Sequence, residues 1–320
     1  MLKPAYRIQI GSEAFEPGPR TPVISVKVNL DMDVPADSFE ILLGEGNTSA
    51  KIAEGDEVSI QLGYEGSLEA VMAGRVDHVE PDLAEVRVTG LDSAAKLLVF
   101  RADQLYESQS AGGIVSDLAN KAGVSAGEIA DGLSFAMYVI DHRKNAYEHM
   151  FELAEKCGFD IYMTPASRLV FKAYERVEPH VLAYGKEVIH AELQEETPRV
   201  VGVVVHGESP SSFKGADTSH WLTKRAVEGV AGSGVRLVFQ EPTVRDKDAA
   251  EKVAKARLAA LARGMSGGVT IVGKAEIKLG DTIEIRGMTN SKMNGVFQVR
   301  SVEHYLSKTA GFTTTIGWRK

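Results

Sequence analysis

Along the first hundred residues, apolar and polar positions alternate with a period of two, in short runs broken by turn signals. Tyr6–Ile10 alternates, and Val23–Leu30 alternates again beyond a Pro17-Gly18-Pro19 cluster and Pro22. Alternation of this kind puts one set of side chains on each face of a strand, and Gly/Pro clusters mark loops. Asp37–Leu43 predicts a third strand. Residues 56–64 and 68–79 predict a hairpin turning at Glu65-Gly66, and 84–90 a sixth strand. Six short strands at close intervals predict a small barrel or sandwich. Leu91–Leu98 reads as a helical turn leading out of it.

Near Phe100 the period changes. Ser110 is placed to cap a helix carrying Ile114, Val115, Leu118 and Ala119, with Gly123 as its stop. Ser125 with Glu128 three residues later reads as the capping box of a short second helix. Phe135–Ile140 is strand-like. Asn145 and Glu148 open a helix with Tyr147, Met150, Phe151, Ala154 and Cys157 at helical spacing, closed by Gly158. Residues 159–163 and 168–174 predict a hairpin around Pro165-Ala166-Ser167. Strand patterns return at Val188–Leu193 and Val200–His206, followed by a polar loop over 209–219 and a brief strand at Leu237–Phe239. Asp246 caps a helix bearing Ala249, Ala250, Val253, Ala254, Leu258 and Leu261 and ending at Gly264. A strand over 268–273, a hairpin over 280–304 and the run Phe312–Trp318 complete the chain.

One pattern occurs twice. Gly55-Asp56-Glu57-Val58-Ser59-Ile60 leads through a turn to Val76-Asp77-His78, and Gly280-Asp281-Thr282-Ile283-Glu284-Ile285 leads to Val302-Glu303-His304. The step from Gly to Val is 21 residues in the first copy and 22 in the second, and this alignment makes His78 and His304 equivalent. Two distant copies mean a duplicated domain and not a solenoid. The expected fold is therefore mainly β with an α+β insert: a first barrel over 1–99, an α/β insert over 100–180, and a second, similar barrel over 181–320 with a helix at 246–263 spliced into its strands.

Composition narrows the function. The 320 residues are 25% charged and 44% apolar, with a net charge of -8. Gripping a phosphate backbone calls for a basic surface, so specific nucleic-acid binding is not expected. The single cysteine, Cys157, excludes an intrachain disulfide and falls at a helical core position. Met1-Leu2-Lys3-Pro4 has no signal-peptide character. No apolar run approaches the roughly 20 residues that span a bilayer. The expectation is synthesis and folding in a cytoplasm, with no membrane segment.

Candidate chemistry is sparse. His142 and His149 flank the start of the middle helix without metal-ligand spacing. Gly229-Val230-Ala231-Gly232-Ser233-Gly234 looks like a phosphate loop, but a strand pattern follows where a helix N-terminus is needed, so a flexible loop is expected. Ser211, Ser212 and Ser219 lack an activating pattern, and Glu195-Glu196 reads as a solvated pair beside Thr197-Pro198. No catalytic, cofactor-binding or metal-binding residue is predicted.

The order of these segments resembles the phage baseplate hub proteins of the late control D family, relatives of the hub part of type VI secretion spike proteins. The likeness rests on Gly55-Asp56-Glu57-Val58 leading to Gly74–His78 and Val88–Asp92, on Arg101 with Tyr106, and on the helix from Ile114. It continues through Asn145–Phe159, Leu279-Gly280-Asp281, Asn294–Phe297, Val302–His304 and the strand from Gly311. The resemblance implies two tube-type barrels per chain and a homotrimer forming a pseudo-six-fold ring. Such a ring adapts a hexameric tail tube to a trimeric spike, with barrel edge strands paired between subunits and the two repeat hairpins as the ring-forming elements. It implies a structural, non-enzymatic role in the baseplate of a phage tail or contractile injection system, beside other baseplate proteins. The chain reaches Lys320 without spike repeats, so a separate spike protein is expected. Rival readings are a tail-associated cell-wall hydrolase and a tail-tip receptor- or carbohydrate-binding module, for which Trp221 is the one candidate contact.

Overall fold

The computed structural model describes residues 3–195, 197, 201–208 and 227–320. The serines at 211, 212 and 219, Trp221, Glu196 and Pro198 lie outside the described residues. The first β unit contains β1 (Pro4–Ile10), β2 (Glu13–Phe15), β3 (Val23–Asp31), β4 (Ser38–Gly44), β5 (Glu57–Tyr64), β6 (Ser67–Pro81) and β7 (Glu85–Leu91). A short helix α1 (Ala95–Val99) leads to β8 (Gln104–Ser110), α2 (Ala111–Lys121), β9 (Ser125–Ile129), β10 (Ser134–Ile140), α3 (Ala146–Cys157), β11 (Asp160–Met163) and β12 (Arg168–Lys172). Then come β13 (His180–Ala183), β14 (Val188–Glu195), β15 (Gly202–Gly207), β16 (Glu228–Gly232), β17 (Arg236–Glu241) and α4 (Lys247–Leu261). The chain closes with β18 (Met265–Val272), β19 (Thr282–Arg286), β20 (Gly295–Ser307) and β21 (Gly311–Arg319). The fold is mainly β, as the alternation predicts.

The alternating runs bury one face as period two requires. In β3, Val23, Val26, Val28 and Leu30 point inward, and in β4 Phe39, Ile41 and Leu43 do so. The two β units are not separate cylinders. They share one 13-stranded sheet, joined where β3 runs antiparallel to β20 with Leu30 opposite Val302 and Val28 opposite His304. A single apolar core runs through both, from Ile8 and Ile60 to Ile271, Ile283 and Ile316. Tyr64 reinforces the junction: its hydroxyl donates to the Gly273 carbonyl at 3.0 Å, and its ring lies 5.9 Å from that of Phe312.

A second core holds the α/β part. Its helix α3 begins with the expected capping box: Glu148 N–H donates to Asn145 Oδ1 at 2.9 Å, and Asn145 N–H to Glu148 Oε2 at 2.7 Å. The helix ends at Gly158 in the left-handed region. Ser125–Ile129, expected as a helix, is instead a strand pairing parallel with β12. The Ser/Glu spacing was met by chance, and sheet pairing overrides a weak local signal. The glycine-rich 229–234 stretch, expected as a flexible loop, is strand over its first four residues, which belong to β16 and pair antiparallel with β15.

Helix 247–261 also lies elsewhere than the spliced-in position suggests. Its buried Ala250, Val253 and Ala254 belong to the second core, with Val203, Val205 and Leu153. Together with β15, β16 and β17 it forms a layer that rests against α3 rather than within the barrel sheet. Lys156 of α3 and Arg257 of α4 close on the same buried Glu241 carboxylate, at 2.9 and 2.5 Å.

Candidate assembly surfaces

The repeated Gly-Asp has a local physical cause. Gly55 (φ 89) and Gly280 (φ 82) both turn through the left-handed region that favours glycine. The aspartate beside each accepts a backbone N–H from three residues back: Ala53 to Asp56 and Lys278 to Asp281, both at 2.9 Å. Gly55 N–H then donates to the Val76 carbonyl at 2.8 Å, and Val76 N–H to the Asp56 carbonyl at 2.9 Å. In the second copy, Gly280 N–H donates to Val299 at 3.0 Å and Val299 N–H to Asp281 at 2.9 Å.

This pairing corrects the repeat alignment. Val76 corresponds to Val299, not Val302, and the histidines are not equivalent. His78 is exposed beside Glu54 and Asp77, whereas His304 is fully buried, its Nδ1 3.0 Å from Thr314 Oγ1. Burial pulls His304 down to about 4. A turn of different length between the paired strands shifted the sequence match by three residues.

With the corrected alignment the two units match over their first five strands and differ in the sixth: β1 runs antiparallel to β5, whereas β13 runs parallel to β19. The first runs β3-β4-β7-β6-β5-β1 and the second β14-β18-β21-β20-β19-β13. The bulge after Val76 in β6 has its counterpart after Val299 in β20. The bulge after Val23 in β3 has its counterpart after Val188 in β14. The layer from β15 to α4 is an insertion between β14 and β18, at the place where β3 passes directly to β4.

The histidines and the cysteine weighed in the sequence do not converge on one site. His142 Nδ1 lies 2.9 Å from Asp103 Oδ1 on the surface, while His149 is buried with Nε2 2.9 Å from the Asp141 carbonyl. Cys157 is partly buried, and burial raises its thiol. No group of three or more metal-ligating side chains assembles among the described residues. No described helix is long and apolar enough to cross a membrane.

Sequence reasoning missed two buried polar clusters. Asp37 and Asp92 sit where the first unit meets the α/β part. Asp37 accepts from Asp31 N–H, and Asp92 from Ala94 N–H, each at 2.9 Å. Burial and mutual repulsion hold Asp37 well above the carboxylate range, and burial pushes Asp92 to about 7. The cavity beside them is about 10 Å³, roughly one water. These carboxylates hold backbone; they do not face a substrate-sized space. The second cluster centres on Arg300, the bulged residue of β20. Its guanidinium reaches Asp160 of β11 at 2.9 Å and Asp33, just past β3, at 3.1 Å, and Arg319 meets Asp33 at 2.8 Å. Both clusters join units that the sequence treats separately. A cleft of about 1260 Å³ lies alongside, between α3, α4 and β20.

No family model and no curated protein matches the chain. Solved structures do. A prophage MuSo2 43 kDa tail protein from Shewanella oneidensis is 15% identical, covers 99% of this chain and 98% of its own, and superposes with a TM-score of 0.76. A tail protein from Neisseria meningitidis MC58 is 14% identical, with coverage of 99% and 97% and a TM-score of 0.76. An E. coli component of the type VI secretion system is 10% identical, with coverage of 97% and 76% and a TM-score of 0.62. From end to end, the chain has the fold of phage tail proteins and of this type VI secretion component.

Proposed function

We propose that this chain is the structural hub of a phage-tail baseplate or of a related injection machine. Three copies form a ring presenting six alike β units. One face meets a hexameric tail tube, the other a separate trimeric spike, and other baseplate proteins dock outside. The observation that carries this reading is the duplication itself: the same strand order, the same Gly-Asp turn and the same two bulges in both halves. A three-fold assembly of such a chain has six near-equivalent positions, which lets a closed cyclic ring match a six-fold partner. The fold shared with tail proteins over the whole chain supports the same location, the tail baseplate, assembled in the bacterial cytoplasm. The role is geometric rather than catalytic and calls on no cofactor. Light scattering at high protein concentration is expected to give three times the 34.5 kDa chain mass for the protein alone, and that mass plus the bound spike when spike is added. A monomer under both conditions would overturn the reading.

A further inference from the structure

Each of the two edges that meet at the β3–β20 seam has a counterpart in the other half of the chain. Those counterparts are open among the described residues. β14, the equivalent of β3, pairs with β18 and, through an isolated bridge at Val188, with Tyr184; beyond that bridge its outer edge is free. β6, the equivalent of β20, pairs with β5 only as far as Arg75, leaving that edge of His78–Pro81 free. Unpaired strand edges carry rows of unmet N–H and C=O groups and template further pairing.

Building on the trimer reading above, we infer that β14 of one copy pairs antiparallel with His78–Pro81 of the next, in the register that β3 and β20 use within the chain. The correspondence fixes that register. Leu30 opposite Val302 becomes Glu195 opposite Val79. Asn29 opposite Glu303 becomes Gln194 opposite Glu80. Val28 opposite His304 becomes Leu193 opposite Pro81, which has no N–H and ends the ladder. The apolar pattern agrees at Leu193 and Val79, which take the places of Val28 and Val302, while Glu195 and Pro81 replace the buried Leu30 and His304. Val28 and Val302 are buried by the seam inside the chain, while Leu193 and Val79 are only partly buried and already pack on the same core. Ile189, the bulged residue of β14, is 59% exposed, and Leu83, at the tip beyond Pro81, is 91% exposed. Each chain supplies one edge of each kind, so the contact is head-to-tail, the kind that a closed three-fold ring requires.

The charges differ between the two seams. Inside the chain, Lys27 Nζ lies 2.9 Å from Glu303 Oε2 across the outer face. Between copies, Glu192 takes the place of Lys27 and Glu80 that of Glu303. Like charges face each other there, so the ring tightens as salt screens them. Glu192→Lys restores the pattern of the intrachain seam.

Disulfide trapping tests the register in a Cys157→Ser background. Gln194→Cys with Glu80→Cys, both on the exposed face, is expected to give a covalent trimer on a non-reducing gel after mild oxidation. Asn29→Cys with Glu303→Cys, the same geometry within one chain, is expected to close internally and shows that the chemistry works. Gln194→Cys with Glu69→Cys, at the far end of β6, is expected to stay unlinked. Glu192→Lys is expected to lower the concentration needed for assembly by about two- to five-fold per seam at low salt. A trimer by light scattering in which the Gln194/Glu80 pair stays open while the Asn29/Glu303 pair closes overturns this seam and leaves the trimer standing. Weaker assembly of Glu192→Lys likewise overturns the register. A monomer throughout overturns both.

Discussion

The His304 ring makes one hydrogen bond among the described residues, between Nδ1 and Thr314 Oγ1, and its Nε2 has no partner among them. An imidazolium there would be desolvated without compensation, so the folded state holds the ring neutral down to about 4. The unfolded chain takes up that proton near 6.5. Between those values the unfolded state binds more protons, so this group's contribution is complete above about 6.5 and is lost as pH falls toward 4. Asp92 acts in the opposite sense. Its folded value near 7 lies above that of the unfolded chain, so its contribution is present at low pH and lost as pH rises toward 7. The two slopes oppose each other in mild acid. In urea unfolding, His304→Leu is expected to gain about 2 kcal/mol relative to the parent between pH 7 and pH 5. A difference that does not change with pH would mean that His304 is not held neutral. None of this was legible in the chain, where His78 and His304 end similar-looking repeats. What separates them is the length of a turn, which sequence matching absorbs as a shift and backbone hydrogen bonds do not.

Among the elements, those set by local chemistry were readable and those set by distant partners were not. Helix α3 carries its own start and stop in Asn145, Glu148 and Gly158, and it forms as expected. Period two gave the strands of both β units because one face of each is buried. β9 and β16 were misjudged because their strand state depends on β12 and β15, which arrive from elsewhere in the chain. Gly229 shows why the glycines of β16 look like a loop. Helix α4 crosses so closely that a Cβ at Gly229 would fall on the Ala250 carbonyl carbon and oxygen. Glycine here permits backbone-to-backbone approach rather than flexibility. Gly229→Ala is therefore expected to cost at least about 2 kcal/mol in chemical denaturation, as overpacking against rigid backbone does. Gly66, at a hairpin tip with open space around the position of its missing Cβ, has no such collision. A Gly229→Ala variant as stable as the parent would show that α4 can shift away from β16.

Across the whole molecule, the duplication is more than two similar domains joined by an insert. The sequence divides the chain at 99 and 180, yet β3 pairs with β20 and one apolar core runs through both β units. Arg300 ties the second unit to Asp160 of the α/β part and to Asp33 at the end of β3. Such continuity predicts that the two β units unfold as one cooperative body. Trp318 is a reporter for the second: it is buried and stacked on Phe297, with ring centroids 3.9 Å apart. Ile8 lies in the first unit, fully buried, on a strand that among the described residues pairs only with β2 and β5. In a Trp221→Phe background, Ile8→Ala is expected to remove about 2–5 kcal/mol by opening a cavity. That loss should appear in full as a lower urea midpoint of Trp318 fluorescence, although residue 8 belongs to the other half of the duplication. Independent units would leave the Trp318 transition where it was and add a second, earlier one by circular dichroism. The proposed ring of six positions built from three chains would need the cooperative result, because each chain would then hold two adjacent positions in fixed relation and only the seams between chains would remain to be formed.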